Sequence, residues 1–343
     1  MIRIGIIGCG HWGRNYLRVF SELPNASVVE ACDEDLDQID YLRTRYPYIK
    51  VRTDFKKLLS NSKIDAMVVS TPSATHYQIA KAVLLADKHL MVEKPLSLKI
   101  EEGEELVKIA ERKKKILMVA HTFLYNPTIR KMKEYIQRDD FGEVYYLQAR
   151  RTHLGLIRKD VNAIWDLAPH DVSIFSYLLN ALPLTASAVG GRFLGDCRED
   201  AGFIVLFYPK GIIGNIHVSW IDTNKVREVV VVGSKKRIIF DDLNNLEKIK
   251  VFEKGIAIDD HVDSFGEFQI LLRDGDIISP KIEAREPLKE QCSHFLECIE
   301  ERKSPLTDGT NGLTVVRVMV AIEESMKRNG APVKVRNEKS NIR

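Results

Sequence analysis

The sequence predicts an α/β protein in two parts. A doubly wound parallel sheet comes first, and an α+β domain on a large, mostly antiparallel open sheet follows. Three observations predict it. Strand-like and helix-like runs alternate over the first 120 residues, which is the pattern of parallel strands joined by crossover helices. A glycine-rich turn, Gly8-Cys9-Gly10-His11-Trp12-Gly13, follows the first strand-like run. Beyond His121, successive strand-like runs joined by short turns take over, the mark of an antiparallel sheet.

Each element has its own signal. Ile2–Ile7 is a continuous apolar run of the kind buried on both faces. Tyr16, Leu17, Phe20 and Leu23 then recur at helical spacing. Val28–Cys32 is the next strand and ends at Asp33. Leu36–Tyr46 reads as a helix stopped by Pro47, and Phe55–Leu59 as a short helix with Asp54 near its start. Ala66–Ser70 is a strand broken by Thr71-Pro72-Ser73. Tyr77–Ala86 is a helix, His89–Glu93 a strand, Ile100–Lys113 an amphipathic helix and Ile116–Ala120 the closing strand.

In the second part, a helix near Pro127–Gln137 precedes strand Val144–Arg151. A loop and a helix carrying His170 follow. The strand-like runs are then Ala186–Arg192, Phe203–Tyr208, Gly214–Ser219, Glu228–Val232 and Arg237–Phe240. Tyr208-Pro209-Lys210-Gly211 and Gly233-Ser234-Lys235-Lys236 are hairpin-turn signals. Helices return at Leu288–Glu301 and Leu313–Arg328.

A chain of 343 residues is too long for one ordinary α/β domain and suits two. The expected division is 1–121 for the first domain, 122–336 for the second and 337–343 for a polar tail. The 45% hydrophobic and 29% charged residues are those of a soluble globular chain. The net charge of +3, from 51 basic and 48 acidic residues, argues against nucleic acid as the main partner. No apolar run reaches membrane-spanning length. Met1–Ile7 runs straight into the glycine turn and reads as a buried strand rather than a signal core. Cys9, Cys32, Cys197, Cys292 and Cys298 are scattered and odd in number. No CxxC pair exists, so neither a disulfide framework nor a zinc site is expected, and a reducing, cytoplasmic setting is.

Gly8, Gly10 and Gly13 fit GxGxxG between a strand and a helix. The first permits the tight turn, the second lets backbone approach a pyrophosphate, and the third lets helix pack on strand. The helix start, at His11 and Trp12, offers unpaired N–H groups to the anion. Asp33 stands 20 positions beyond Gly13. A carboxylate there would accept ribose hydroxyls and repel a 2′-phosphate, which favours NAD over NADP. Arg43 or Arg45 could alter that preference. Ser70, Thr71 and Pro72 end a parallel strand, where ligands bind in such sheets. His76 just beyond either lies near the nicotinamide or faces water.

Glu93-Lys94-Pro95 ends a later strand. Trp165-Asp166-Leu167-Ala168-Pro169-His170-Asp171 opens a helix far downstream. Lys94, at a strand's C-terminal edge, would present its ammonium to a cleft, where a partly desolvated lysine can pass protons or polarise an alcohol oxygen. Asp166 and His170 are four apart and share a helix face. Histidine titrates near neutrality, which suits a general base. Asp171 points elsewhere and fixes local structure.

Taken together, Gly8–Gly13, Asp33, Thr71-Pro72, Glu93-Lys94-Pro95 and Asp166-x-x-x-His170-Asp171 resemble the Gfo/Idh/MocA family of oxidoreductases over nearly the whole chain. The resemblance implies a catalytic pocket of Lys94, Asp166 and His170, with Glu93 and Lys94 also near the cofactor. The family's usual small-residue stretch before the aspartate is replaced by Asn162-Ala163-Ile164-Trp165, which bears on substrate shape. The expected chemistry is oxidation of a sugar hydroxyl, with hydride passing to the nicotinamide. His170 is the expected base and Lys94 the polarising group, or the reverse.

The stretches from His121 to Pro127 and from Arg150 to Asn162 resemble the branch that oxidises C3 of UDP-N-acetylglucosamine. Arg151, Arg158 and Lys159 would then meet the pyrophosphate, the arginines through bidentate forks, and Tyr125, Asn126 and Asn162 would help hold the sugar. The bland alternative is a solvated basic loop. Oxidation of an inositol, other polyol or free aldose is the second reading. A non-catalytic NAD-binding regulator is the third. The open antiparallel sheet must hide its far face. Val229, Val231 and Ile239 are expected to furnish it, giving a homodimer or homotetramer.

Overall fold

The computed structural model describes residues 1–155, 157–195, 198–258 and 270–336. The expected tail at 337–343 and Cys197 lie outside them. By contact the chain divides into two compact units, Met1–Tyr125 with Arg285–Val320, and Asn126–Ala284 with Ala321–Arg343. Residues 285–320 therefore return to the N-terminal unit, where the sequence had suggested one boundary after 121.

The first unit opens with β1 (Ile2–Ile7), α1 (His11–Glu22), β2 (Ala26–Cys32), α2 (Leu36–Arg45), β3 (Lys50–Arg52) and α3 (Lys56–Leu59). It continues with β4 (Ala66–Val69), α4 (His76–Leu85), β5 (His89–Glu93), α5 (Ile100–Lys113) and β6 (Leu117–Ala120). The strands form one parallel sheet in the order β3-β2-β1-β4-β5-β6, the doubly wound arrangement that binds ligands at its C-terminal edge. β4 and β6 are buried at every position, because helices cover both faces of a parallel sheet. Asp35 caps α2, accepting the Asp37 N–H at 2.9 Å. The three-residue edge strand β3 carried no sequence signal.

The second unit contains α6 (Pro127–Ile136), β7 (Val144–Leu154), α7 (Ala163–Leu179), β8 (Thr185–Gly191), β9 (Ala201–Phe207), β10 (Ile213–Ser219), β11 (Ile221–Gly233) and β12 (Arg237–Asp241). Beyond these lie β13 (Ile249–Phe252), β14 (Gly255–Ile258), β15 (Ile270–Arg273) and β16 (Ile277–Ile278). Next come α8 (Pro287–Glu301), which belongs to the first unit, α9 (Gly309–Lys327), within which the division falls, and β17 (Val333–Lys334). Nine strands form one sheet in the order β16-β13-β12-β11-β7-β10-β9-β8-β17, and β14 pairs with β15 apart from it. All neighbours in the large sheet are antiparallel except β7 and β10.

α7 lies against β7, β9 and β10. Leu147, Ala149, Ile204, Leu206, Ile216 and Val218 are buried on these strands. Alternation sends their neighbours to the opposite face. Phe203, Phe207, Val189 and Ile213 stand there, 53%, 38%, 50% and 42% exposed. This corrects the residues expected on the open face. Val229 and Val231 are buried, and both pair with the buried Phe240 and Ile238. Of the three residues named from sequence, only Ile239 belongs to the opposite set.

Candidate active site

In the first unit, the residues singled out for the cofactor lie at the C-terminal ends of β1, β2, β4 and β5. Gly8 takes a φ of +86°, and a Cβ there would meet the Ser70 carbonyl carbon and oxygen at 2.7 and 2.8 Å. A Cβ on Gly13 would stand 2.0 Å from the Gly8 carbonyl oxygen, so only glycine lets α1 pack this closely on its own turn. A Cβ on Gly10 would meet nothing within 4 Å. No side chain caps the start of α1, and no acidic residue lies in its first turn. Open space at Gly10 and an uncapped helix start are what a pyrophosphate needs. His11 and Trp12 flank that start, exposed, with their rings edge to face at 5.5 Å.

Asp33 follows β2. Its carboxylate accepts the Cys9 N–H at 2.5 Å and the Asp35 N–H at 2.9 Å, so it braces the glycine turn. The Arg14 guanidinium is engaged elsewhere. It donates to Gln38 Oε1 at 2.7 Å and lies 3.6 Å from the Tyr41 ring centroid. Ser70 Oγ donates to the Gly8 carbonyl at 2.7 Å and ties the end of β4 to the same turn. Thr71 and Pro72 continue outward, Pro72 being exposed.

His76 does not face water. It is 1% exposed, with Nδ1 2.7 Å from the Pro95 carbonyl oxygen and Nε2 2.9 Å from the Thr71 carbonyl oxygen. The ring thus spans the loops after β4 and β5 instead of facing water.

Lys94 follows β5, 8% exposed, beside Glu93 at 7%. Tyr16 Oη donates to Glu93 Oε1 at 2.5 Å, and Glu93 Oε2 accepts the Lys94 N–H at 3.1 Å. Burial above all, then the Glu93 charge, pushes the Tyr16 phenol well up, so it stays a donor. Gln291 Nε2 donates to Tyr16 Oη at 3.3 Å, and Thr122 Oγ1 donates to Gln291 Oε1 at 2.7 Å. This network sets the backbone of Lys94. Sequence reading missed Tyr16, Gln291 and Thr122. Tyr16 had registered only as an apolar helix position, and Gln291 lies 275 residues away from it.

In the second unit, Asn162 caps α7, accepting the Trp165 N–H at 2.9 Å and donating to Glu199 at 2.7 Å. Asp166 and His170 lie one turn apart on α7, on either side of Pro169. Asp166 accepts from Trp220 Nε1 at 3.2 Å and from Arg158 at 3.3 Å. Trp220 gave no sequence signal for this role. Arg158 also grips Asp160 through two bonds, at 2.8 and 2.9 Å. Burial opposes its charge, but Asp160 and Asp166 outweigh it and raise the guanidinium's pKa.

Several expected substrate contacts are otherwise engaged. Arg151 and Asp171 form a bidentate pair at 2.7 and 3.0 Å, with side chains 6% and 1% exposed. Such an arginine holds β7 to α7 and does not reach for a pyrophosphate, whereas Asp171 is structural as expected. Tyr125 is fully buried, its hydroxyl 3.2 Å from Thr307 Oγ1. Asn126 caps α6 by accepting the Thr128 N–H at 2.9 Å. These two side chains build local structure rather than a sugar pocket.

The parallel sheet and its glycine turn define a dinucleotide-binding protein. Residues 2–121 match the family model described as oxidoreductase family, NAD-binding Rossmann fold. Residues 133–335 match the same family's C-terminal alpha/beta domain. The chain belongs to the Gfo/Idh/MocA oxidoreductase family. It is 25% identical over 335 residues to a UDP-N-acetylglucosamine 3-dehydrogenase of Acidithiobacillus ferrooxidans, covering 95% of this chain and 99% of that one. The structure of that dehydrogenase, GnnA, superposes with a TM-score of 0.80 at 23% identity, over 95% and 99% of the two chains. The WlbA dehydrogenase of Bordetella pertussis, in complex with NADH and UDP-GlcNAcA, gives 0.80 at 21% identity, over 98% and 99%. A myo-inositol 2-dehydrogenase of Thermotoga maritima is 21% identical over 337 residues, 95% of this chain and 96% of that one.

Proposed function

We propose that the chain oxidises a sugar hydroxyl to a ketone with NAD, the substrate being a UDP-N-acetylhexosamine and the carbon C3. The observation that carries this reading is a glycine turn open at Gly10 on the same sheet edge as the buried Lys94. The similarity to a UDP-N-acetylglucosamine 3-dehydrogenase over nearly the full length supports the substrate. Gly8–Gly13 and the start of α1 would hold the pyrophosphate, and Asp33 the ribose hydroxyls. Bound there, the nicotinamide would supply the hydride acceptor. Lys94 polarises the alcohol oxygen and His170 takes its proton, with Asp166 orienting the imidazole from one helical turn away. The enzyme works in the cytoplasm.

Steady-state NAD reduction over a panel of UDP-sugars, inositols and aldoses tests this. UDP-N-acetylglucosamine should give the highest kcat/KM. Preference for an inositol would replace the substrate, and inactivity on every sugar would point to a regulator. Lys94→Ala and His170→Ala should each lower turnover by about 10²–10⁴-fold. Their affinity for NADH should change little. Full activity in both would remove this active site.

A further inference from the structure

β6 ends at Ala120, which pairs with Glu93 of the parallel strand β5. The residues that follow, His121 and Lys94, therefore leave adjacent strands at the same C-terminal edge. The backbone of His121 is held in a tight turn. Its N–H donates to the Val119 carbonyl at 2.8 Å, and its carbonyl accepts the Leu124 N–H at 3.0 Å. The ring is held by no such bond. It is 1% exposed, and among the described residues neither ring nitrogen has a hydrogen-bond partner. His76, equally buried at this edge, has both nitrogens on carbonyl oxygens.

Burial, aided by the Lys94 charge, pushes the His121 imidazole down to about 3, so the ring is neutral at physiological pH. A neutral imidazole carries one N–H and one lone pair in either tautomer. Leaving both unmet in a buried site is costly, and an apolar side chain would avoid that cost. The ring is a poor base there but retains a full hydrogen-bonding capacity.

We propose that His121 is a ligand-contacting residue, donating and accepting hydrogen bonds at the reacting end of a ligand bound along this sheet edge. The ligand group is neutral and both donates and accepts: a sugar hydroxyl beside Lys94, or the carboxamide of the nicotinamide. The proposal rests on the reading that this edge holds the dinucleotide and that Lys94 acts on an alcohol.

The test uses the full chain with His121→Leu and His121→Gln. Without ligand, His121→Leu should melt at or above the parent temperature, since it removes unmet polar atoms. Its kcat/KM should fall tenfold or more on the panel sugar that reduces NAD fastest, and its melting shift with NADH plus that sugar should shrink. His121→Gln, which keeps a donor and an acceptor, should retain most of both. NADH binding by calorimetry separates the sources. A tenfold loss in His121→Leu assigns the carboxamide; unchanged NADH affinity with impaired sugar kinetics assigns the hydroxyl. Parent-like kinetics and ligand shifts in His121→Leu would overturn the proposal. So would a lowered melting temperature with an unchanged ligand shift, the signature of a purely structural ring. Lys94→Ala is measured alongside. If it stays active, the reading of the site fails. If it is inactive while His121→Leu matches the parent, only the role of His121 fails.

Discussion

The Asp33 carboxylate, which we propose for the ribose hydroxyls, also accepts the Cys9 N–H of the glycine turn. The parent should bind NAD(H) more than tenfold tighter than NADP(H), a gap above about 1.4 kcal/mol. Asp33→Ala should weaken NADH and narrow the ratio. Calorimetric titrations giving equal parent affinities would refute the assignment. Two histidines, His121 buried and His89 half-buried, give acid sensitivity of known sign. Burial is the main cause in both, holding His89 at about 4, with Lys115 adding and Asp65 opposing, and His121 at about 3, with Lys94 adding. In the unfolded chain both titrate near 6.5. Below that the unfolded state binds the extra protons, so their contribution is complete above about pH 6.5 and is lost toward those lower values. Each contributes a slope of about 1.4 kcal/mol per pH unit inside its window. Urea melts of His121→Leu between pH 7 and 4 should lose one such slope; a slope equal to the parent's would contradict the sign. Neither histidine was legible as a titrating group, because how far a ring is withdrawn from water is set by elements remote in sequence.

Among the elements, β6 is the outer strand of the parallel sheet and needs its edge covered. Thr307 covers it. The Val119 N–H donates to the Thr307 carbonyl at 2.7 Å, and Thr307 Oγ1 donates to the Val119 carbonyl at 2.7 Å. Thr307 is fully buried, so Thr307→Val keeps the shape and removes the hydroxyl. It should cost about 1–3 kcal/mol in denaturant unfolding, and no measurable loss would show the edge is held otherwise. The same return segment brings α8 against α1 and so delivers Gln291 to Tyr16. β1, β2, β4, β5 and β6 were legible because buried parallel strands read as apolar runs. β3, β13, β16 and β17 were not, being edge strands or neighbours of edges only two to four residues long. The first half of β11, from Ile221 to Lys225, was hidden because its polar residues break the alternation.

For the molecule as a whole, the exposed face of the nine-stranded sheet carries Phe203, Phe207, Val189 and Ile213. Phe203 stacks on His217 with ring centroids 4.3 Å apart. A cluster of large apolar side chains on an open sheet is a surface for association, and we expect a homodimer or homotetramer built on it. Light scattering should show an oligomer at micromolar concentration, and Phe203→Asp should shift it toward monomer with the fold intact. A monomeric parent would refute this. Among the described residues no helix is long and apolar enough to cross a membrane.

The glycine turn, Asp33, Lys94 and the Asp166–His170 spacing could be read directly from sequence, because each depends on local geometry: a turn that excludes Cβ atoms, a strand end, one turn of helix. Tertiary structure alone decided which polar side chains are available for chemistry. Arg151, Tyr125, Asn126 and Asn162 have suitable groups for a sugar nucleotide, yet Asp171, Thr307, the Thr128 N–H and the Trp165 N–H engage them. Asn126 and Asn162 are held locally, as helix caps, but nothing in spacing announces the partners of Arg151 and Tyr125, since the cost of burying a polar group is met by whichever donor or acceptor the fold brings within reach. By the same logic His121 stands out only in three dimensions, where its neighbours on the sheet edge leave its ring unsatisfied.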